Sequence, residues 1–415
     1  MKGHVVIAPD KFRGSLTSPE VVAHVTAGLG RVPVVGLPVA DGGEGTVDAV
    51  VASGFTRVEV EVTGPTGDPV VASYAVRDEP HGTTAAEPVT DVAASPRSVG
   101  RVAVIELAEA SGLRRLPGAP APLTATSYGT GELIAHAVRH GATRIVLGLG
   151  GSACTDGGAG MVQALGARLL GEDGEELPFG GAALGRLDRI DASALAQPAP
   201  GDPAVGGTGV GGVEFVVASD VDNPLLGPNG AAAVYGPQKG ASPQDVAILE
   251  KGLARLAAVA VHTHGLTGSI EHDGVVRSMG VAGRPGAGAA GGVGFAALAF
   301  LRAEIRPGIG YLLELLDFDR QVEGARLVIT GEGSIDEQSL RGKAPVGVAS
   351  AAAKHGVPVV AVCGRRSIGD AELRSAGIEA AYALTDIEPD VKRCIAEAGP
   401  LLERVARTIA ATHLP

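Results

Sequence analysis

The chain has 415 residues, of which 45% are hydrophobic and 19% charged, and its formal net charge is −12 at pH 7. This length predicts two domains or one enlarged α/β unit, and the apolar content excludes a disordered or fibrous chain. The acidic charge and the 3% of aromatic residues, with no Trp, argue against a nucleic-acid partner.

The cysteines and the apolar stretches bear on the compartment of the protein. Cys154, Cys363 and Cys394 lie far apart and fit neither a disulfide framework nor a structural zinc site. The N-terminus shows no signal-peptide pattern, and the longest charge-free apolar stretch, 285–301, is too short to span a bilayer. We therefore expect a cytoplasmic protein with no membrane partner. The sequence leaves open whether it forms a homo-oligomer.

The apolar runs predict short buried strands that alternate with helices. Strands are predicted at 4–9, 34–39, 102–107, 144–149, 213–219, 326–330 and 357–363, with an antiparallel pair at 57–63 and 70–76. Helices are predicted at 19–29, 44–52, 131–140, 160–170, 243–264, 291–301, 346–355 and 389–411. The polar or Gly/Pro-rich segments 77–101 and 197–212 are expected to be long loops.

The alternation of strand and helix at both ends of the chain predicts an α/β fold with a parallel sheet. We expect both ends to contribute to one sheet, with the middle of the chain inserted as a second α/β domain. The predicted boundaries give a discontinuous domain, 1–65 with 286–415, and an inserted domain, 66–285.

Five loops place small residues and carboxylates directly after predicted strands. Ligand sites of open α/β sheets form at the carboxyl ends of the strands, so these loops are the candidate site. They are APDKFRGSLT at 8–17, PVADGGEGT at 38–46, GLGGSACTDGGAG at 148–160, ASDVDNP at 218–224, and ITGEGSIDEQS at 329–339, which Gly-Lys soon follows. Each loop taken alone also fits an ordinary charged or capped turn.

Together these loops favour the handling of phosphate groups. Glycines let backbone N–H groups approach a phosphate, carboxylates bind Mg²⁺ or accept a hydroxyl proton, and isolated Lys and Arg side chains bind anions. This combination suits phosphoryl transfer, which depends on positioning and charge neutralisation. The third loop is not a Walker A sequence, and Cys154 has no identifiable partner that would make it a nucleophile.

A GxGxxG pattern at Gly286, Gly288 and Gly291 suggests a second class of function, dinucleotide binding. No hydrophobic strand precedes it, so it fails the context of a dinucleotide-binding fingerprint. A dinucleotide-dependent oxidoreductase is therefore the distant alternative. The ten histidines are scattered and do not predict a metal site.

Eight motifs occur in order along the chain: APDKFRGSLT, PVADGGEGT, TSYGTGELI, GGSACTDGGAGM, DVDNPLLGPNGA, YGPQKGA, PGAGAAGG and ITGEGSIDEQSLRGK. This set resembles the bacterial class I glycerate kinases, of the glycerate 2-kinase type. The resemblance implies phosphorylation of D-glycerate to 2-phosphoglycerate, with ATP as co-substrate and Mg²⁺ as cofactor. It also implies a flavodoxin-like, Rossmann-like domain from both chain ends, a second domain resembling a restriction-enzyme fold, and a site in the cleft between them.

With this resemblance we assign roles to the residues of the loops. Asp220 is predicted as the base that accepts the substrate hydroxyl proton, with Asp41 as the runner-up, and Lys11 and Lys343 complete the catalytic set. The residues predicted to bind substrate are Asp10, Arg13, Ser15, Gly42, Gly43, Glu44 and Asn223. The residues predicted to bind nucleotide are Gly150, Gly151, Ser152, Asp156, Gly157, Gly158, Gly331, Glu332, Gly333 and Asp336. The candidate metal ligands are Glu44, Asp156, Glu332 and Asp336.

Some positions depart from the usual pattern of the family. Lys11-Phe12-Arg13 stands where Ser-Phe-Lys is usual, and Cys154-Thr155 stands where Thr-Asn is common. Ser334 replaces a frequent Arg, which removes one candidate phosphate contact. The alternatives that remain within kinases are a glycerate 3-kinase and a kinase of a related small hydroxy acid.

Overall fold

The computed structural model describes residues 3–80, 99–197, 209–264, 270–272, 275–277 and 280–414. It confirms the mixed α/β class. Fifteen strands are present in this part of the chain: β1 Val5–Pro9, β2 Val34–Gly36, β3 Thr56–Thr63, β4 Pro69–Pro80, β5 Val99–Glu106, β6 Arg144–Gly148, β7 Arg168–Leu170, β8 Arg189–Asp191, β9 Glu214–Ala218, β10 Ile270–His272, β11 Val275–Arg277, β12 Glu304–Arg306, β13 Leu327–Ile335, β14 Val359–Arg366 and β15 Ala380–Ala383.

The same residues form fourteen α-helices, in chain order: α1 Ser18–Leu29, α2 Thr46–Ala52, α3 Leu107–Ser111, α4 Tyr128–Arg139, α5 Ala159–Ala164, α6 Ala231–Tyr235, α7 Pro243–His264, α8 Ala289–Phe300, α9 Gly308–Leu315, α10 Phe318–Val322, α11 Ala344–Ala353, α12 Asp370–Ser375, α13 Val391–Ala396 and α14 Ala398–His413. Short 3₁₀ turns occur at Leu113–Arg115, Gly181–Arg186, Ser193–Ala196, Pro237–Lys239, Gly280–Gly283, Ser339–Arg341 and Leu384–Asp386. None of the helices described is long and apolar enough to cross a membrane.

The chain forms two compact units. The first comprises Met1–Gly54, Ala218–Asp220 and Arg306–Pro415, and the second comprises Phe55–Val217 and Val221–Ile305. The predicted domain boundaries lie at 65 and 285, and the division into independent domains stays a prediction.

The first unit is built on a five-stranded parallel sheet in the order β15-β14-β13-β1-β2. Counted along the chain within this sheet, the order is the 2-1-3-4-5 arrangement of flavodoxin-like folds. The strand β1 comes from one end of the chain and pairs with β13 from the other, which confirms the predicted sheet. The near-continuous apolar runs of β1, β13 and β14 are typical of strands that are buried on both faces. On one face, α1 and α14 complete the core.

The second unit contains a six-stranded sheet in the order β12-β9-β6-β5-β4-β3. The strands β3, β4 and β5 pair antiparallel, whereas β5 and β6 pair parallel. The tight turn between β3 and β4 has Gly67 at a φ of 97°, a conformation that glycine adopts readily. The antiparallel pair predicted from its alternating residues is confirmed.

Several predicted boundaries are wrong, each for a local reason. The loop expected at 77–101 is strand at its described ends, because β4 continues to Pro80 and β5 begins at Val99. Most of the loop expected at 197–212 lies outside the described residues. The helix expected at 160–170 ends at Ala164, since Gly166 takes a φ of 96° before β7. The helix expected at 389–411 is two helices, α13 and α14.

The strand β13 runs further than the sequence predicts. The sequence predicts an end at Thr330, but the strand continues to Ile335 through two glycines and remains paired with β14 up to Arg366. Gly331 makes this close pairing feasible, because a Cβ there would lie 2.2 Å from the carbonyl oxygen of Val362. Glu332, Gly333 and Ser334 are therefore held on a strand and not on a loop.

Candidate active site

The carboxyl edge of the five-stranded sheet carries a group of mutually repelling carboxylates. Asp10 directly follows β1, Glu332 lies on β13, and Asp41 follows β2. Burial raises the pKa of Asp10 to about 7, the negative charge of Asp41 adds to the rise, and the charge of Glu332 adds a smaller part. Lys11 opposes the shift through its charge and through a backbone N–H that donates to Asp10 Oδ1 at 2.6 Å.

Glu332 is the buried member of this group. The residue is 8% exposed, and Oε1 of its side chain has no hydrogen-bond partner among the described residues. Burial raises the pKa of Glu332, while a hydrogen bond from Ser339 and the charge of Lys343 oppose the rise. A buried polar atom without a partner costs free energy, so a ligand that brings a hydrogen-bond donor or a cation to this oxygen would remove that cost.

Asp220, the predicted base, holds the beginning of α9. The backbone N–H of Gly308 donates to Asp220 Oδ1 at 2.9 Å, and the N–H of Ile309 also donates to this carboxylate. Burial raises the pKa of Asp220 to about 6, and the charge of Asp41 contributes to the rise. The residue as a whole remains exposed, so the carboxylate is both anchored and accessible.

Two hydrogen bonds hold the loop before α2, one within the loop and one from Lys11. The N–H of Gly43 donates to Asp41 Oδ1 at 3.1 Å, and Nζ of Lys11 donates to the carbonyl oxygen of Glu44. Gly42 has a φ of 86°, and a Cβ there would lie 2.3 Å from the carbonyl oxygen of Ala218. Lys11 therefore fixes the loop of Asp41 as well as lying beside Asp10.

The remaining predicted residues of the first unit differ in what they contact. Asp336 accepts hydrogen bonds from the backbone of Gln338 and Ser339, which closes a turn. Ser15 donates to the carbonyl oxygen of Phe12 at 3.1 Å. Arg13 is exposed, and Lys343 lies immediately before α11. The roles predicted for Arg13 and Lys343 toward a ligand stay predictions.

In the second unit, Asp156 is fully buried and has its oxygens occupied. It accepts hydrogen bonds from the N–H and hydroxyl of Ser127, both at 2.8 Å, and from the N–H groups of Gly158 and Gly160. A metal ion or nucleotide would have to replace these donors. The described contacts of Asp156 support a structural role, and its predicted role toward nucleotide or metal stays a prediction.

Lys239 completes this buried polar cluster. It is 2% exposed and donates to Ser152 Oγ at 2.8 Å and to the carbonyl oxygen of Cys154 at 2.5 Å. Burial lowers the pKa of Lys239 and raises that of the Cys154 thiol. Cys154 is therefore an unreactive core residue, as its sequence context predicts.

The glycines predicted to bind nucleotide in this unit pack closely against protein. A Cβ on Gly157 would lie 2.4 Å from Leu256 on α7, and one on Gly158 would lie 2.4 Å from Ala296 on α8. Gly151, in contrast, is exposed at a φ of 77°, and Gly150 is half-buried. The tip of the loop at Gly150 and Gly151 is thus the part accessible to a ligand.

Other motif residues also make internal contacts. Asn223 accepts a hydrogen bond from the hydroxyl of Tyr235 at 2.6 Å and donates to the carbonyl oxygen of Asn229 at 2.8 Å. In the GxGxxG pattern, a Cβ on Gly288 or Gly291 would lie 2.2 Å from a backbone carbonyl oxygen. These glycines allow close packing, which leaves the dinucleotide alternative without structural support.

Sequence reasoning missed one cation at this sheet edge. Arg365 on β14 is paired with Ser334 on β13, and its Nε donates to Ser334 Oγ at 3.2 Å. The signal was present in the sequence, since Arg365 follows a predicted strand. It was hidden because the length of β13 and its register with β14 were not predicted.

A parallel sheet whose carboxyl edge carries clustered carboxylates and exposed cations is typical of α/β enzymes that act on small anionic molecules. The sequence pattern of the glycerate kinase family matches residues 5–414. The chain therefore belongs to the glycerate kinase family, and the resemblance found in its motifs is confirmed.

Curated relatives and a solved structure match almost the whole chain. A protein of Bacillus subtilis named glycerate kinase is 40% identical over 414 residues, which are 98% of this chain and 97% of that protein. One of Escherichia coli named glycerate 2-kinase is 39% identical over 418 residues, with the same coverage. A crystal structure from Salmonella typhimurium LT2, provisionally assigned as glycerate kinase 2, has 36% identity and a TM-score of 0.76 over 99% of this chain and 98% of its own.

Proposed function

We propose that this protein transfers the γ-phosphoryl group of ATP to the 2-hydroxyl group of D-glycerate, giving 2-phosphoglycerate, with Mg²⁺ as cofactor. Family membership and the name of the Escherichia coli relative support the reaction class. The observation that carries the proposal is the strand-edge group of Asp10, Asp41 and Glu332, in which Glu332 has an unpartnered buried oxygen near the charge of Lys343.

The side chains at this edge fit Mg²⁺. Mg²⁺ takes hard oxygen ligands and is commonly bound by one or two carboxylates together with substrate phosphates. No group of three or more side chains that could hold a metal ion occurs among the residues described, so nucleotide phosphates would have to supply further ligands. Of the four predicted ligands, Glu332 has a free oxygen, whereas Asp156 and Asp336 are engaged in internal hydrogen bonds.

We assign the metal to Glu332, with Asp10 as its neighbour in the group. When bound, Mg²⁺ neutralises phosphate charge during transfer. Lys343, whose charge already acts on Glu332, would contribute to the same neutralisation.

Asp220 is the base of the proposed reaction. Its pKa of about 6 leaves the carboxylate ionised at neutral pH yet basic enough to accept a hydroxyl proton in the transition state. The hydrogen bonds from Gly308 and Ile309 fix its orientation. Lys11 and Arg13 would bind the carboxylate of glycerate.

The decisive test is an enolase-coupled assay with D-glycerate, ATP and Mg²⁺, run with and without phosphoglycerate mutase. Signal without mutase identifies 2-phosphoglycerate and supports the proposal. Signal only with mutase identifies 3-phosphoglycerate and overturns the assignment of the 2-hydroxyl. If folded protein gives no signal in either assay, glycerate is not the substrate, and a panel of small hydroxy acids should be tested with an ADP-release assay.

A further inference from the structure

Two neighbouring arginines at the end of β14 are in contrasting surroundings. Arg366 forms an ion pair with Asp370 at 2.5 Å. Arg365 is exposed and forms no ion pair with any described residue. Its side chain donates a hydrogen bond from Nε to Ser334 Oγ. The terminal nitrogens Nη1 and Nη2 have no described partner, and these two donors form an edge of the guanidinium that recognises oxyanions.

The position of Arg365 relates it to the proposed metal ligand. Glu332 and Ser334 are two residues apart on β13, so their side chains lie on the same face of the sheet. Arg365 reaches Ser334 and therefore lies on that face as well. A guanidinium and a metal-binding carboxylate are thus presented from adjacent strands toward the same region.

A second exposed arginine lies on the other side of β13. A Cβ on Gly333 would lie 3.0 Å from the backbone nitrogen of Arg13, which follows β1. Gly333 alternates with Glu332 and Ser334, so the backbone of Arg13 lies over the opposite face of β13 from these two side chains. Arg365 is therefore the exposed arginine on the face that carries Glu332 and Ser334.

We propose that Arg365 is a binding residue for the phosphate oxygens of the nucleotide, positioned by Ser334. This inference rests on the proposed function and names the part of the substrate that this residue recognises. A guanidinium is suited to this task because its planar fork matches two phosphate oxygens and it is always charged. A phosphate bound to the metal at Glu332 would lie on the face that Arg365 occupies. This chain has Ser334 on β13 where the family frequently has an arginine. Arg365, at the paired position on β14, would supply the positive charge instead.

The test compares R365Q with R366Q, a matched control that removes the adjacent charge whose partner is Asp370. Calorimetric titration with Mg²⁺ and a non-hydrolysable ATP analogue gives the dissociation constant, and steady-state kinetics gives KM for ATP and for D-glycerate. We expect R365Q to bind the analogue about tenfold more weakly, since a charge-assisted hydrogen bond contributes on the order of 1.5 kcal/mol. Its KM for glycerate should stay within twofold, and R366Q should behave as wild type.

Further variants and outcomes keep the test decisive. S334A should weaken binding of the ATP analogue by a smaller factor than R365Q, because Arg365 remains but is no longer held by Ser334. R365K, which keeps the charge and is the fallback should R365Q fail to fold, should lose less affinity than R365Q. Folded R365Q with unchanged nucleotide affinity, or with only the KM for glycerate raised, overturns the inference. Wild type that binds the analogue through Arg365 but does not phosphorylate glycerate would overturn the proposed function and leave this inference standing.

Discussion

Asp10 lies in surroundings that disfavour its ionised form. Its pKa of about 7 in the folded protein, raised chiefly by burial and by the charge of Asp41, compares with an ordinary value of about 3.9. A raised folded-state pKa means that the stabilisation from the protonated form is complete below pH 4 and is lost as the pH rises through 7. The wild-type protein therefore carries an electrostatic cost at the pH at which a kinase would work.

The variant D10N should remove this cost. Asn stays neutral, so D10N should unfold at a higher temperature than wild type, and the difference should grow from pH 5 to pH 8. Thermal unfolding in the presence of EDTA measures this without interference from bound cations. The same substitution should reduce kinase activity, because it removes a neighbour of the proposed metal ligand. If D10N and wild type differ equally in unfolding temperature at pH 5 and at pH 8, the ionisation of Asp10 does not cause the difference.

Asp220 yields a prediction about the chemical step. In D220N the amide oxygen can still accept the N–H of Gly308, so this anchor at the beginning of α9 should be kept. The amide cannot take up a proton, and kcat should fall by a factor of about 10² to 10⁴, the range typical of a lost general base. Wild-type kcat should also decline as the pH falls through 6, where Asp220 becomes protonated.

The exposed Asp222, two residues away, provides the control, and D222N should keep near-normal kcat. The pH profile separates a base from a merely structural residue, since D220N should lose the acidic decline as well as rate. A folded D220N enzyme with near-normal kcat would remove Asp220 from the role of base and leave Asp41 as the candidate.

At the scale of elements, the Gly-rich loop before α5 shows why glycine patterns are ambiguous. The sequence predicted a phosphate-binding loop from GGSACTDGGAG, and this prediction used the backbone freedom of glycine. The structure uses the same property at Gly157 and Gly158 for close packing against α7 and α8. Phosphate binding and close packing require the same glycines. Only the tertiary neighbours distinguish the two, and no local sequence pattern encodes those neighbours.

A pair of glycine variants separates backbone strain from packing. Gly158 and Gly174 have φ values of 76° and 78°, but a Cβ on Gly174 would meet nothing within 4 Å. G174A should therefore cost only the left-handed conformation, about 1 kcal/mol. G158A should cost that amount and a further 1–3 kcal/mol or so for the overlap with Ala296. Urea unfolding measures both, and equal losses would show that the loop relaxes without strain.

The extension of β13 is the element-scale result that matters most for the site. Sequence patterns placed the end of this strand at Thr330 because GEGS has low strand propensity. Pairing with β14 overrides that propensity as far as Ile335. The predicted site residues Gly331, Glu332 and Gly333 are consequently held in a regular register, and Arg365 is brought beside them. Propensity cannot foresee this, because the stabilising partner lies about thirty residues further along the chain.

For the whole molecule, composition and periodicity were enough to predict the fold class and the parallel sheet from both chain ends. These properties depend on apolar runs that any partner strand would bury, so they are visible locally. The arrangement of the site, in contrast, cannot be predicted from local sequence patterns. Asp10, Asp41, Asp220 and Glu332 come from four separated segments, and the raised pKa values of Asp10, Asp220 and Glu332 arise only when folding brings these segments together.

The unpartnered oxygen of Glu332 connects the site to the stability of the whole chain. A ligand that binds only the folded state stabilises it by mass action, so Mg²⁺ should raise the unfolding temperature if Glu332 binds it. We expect this rise in wild type without nucleotide, measured at constant ionic strength with NaCl as the compensating salt. E332Q should lose most of the rise, because the amide lacks the charge that attracts the cation. E337Q, which changes an exposed acid of the same segment, should keep it. An E332Q variant that responds to Mg²⁺ as strongly as wild type would place the metal elsewhere and leave the buried oxygen to a hydrogen-bond donor of the substrate.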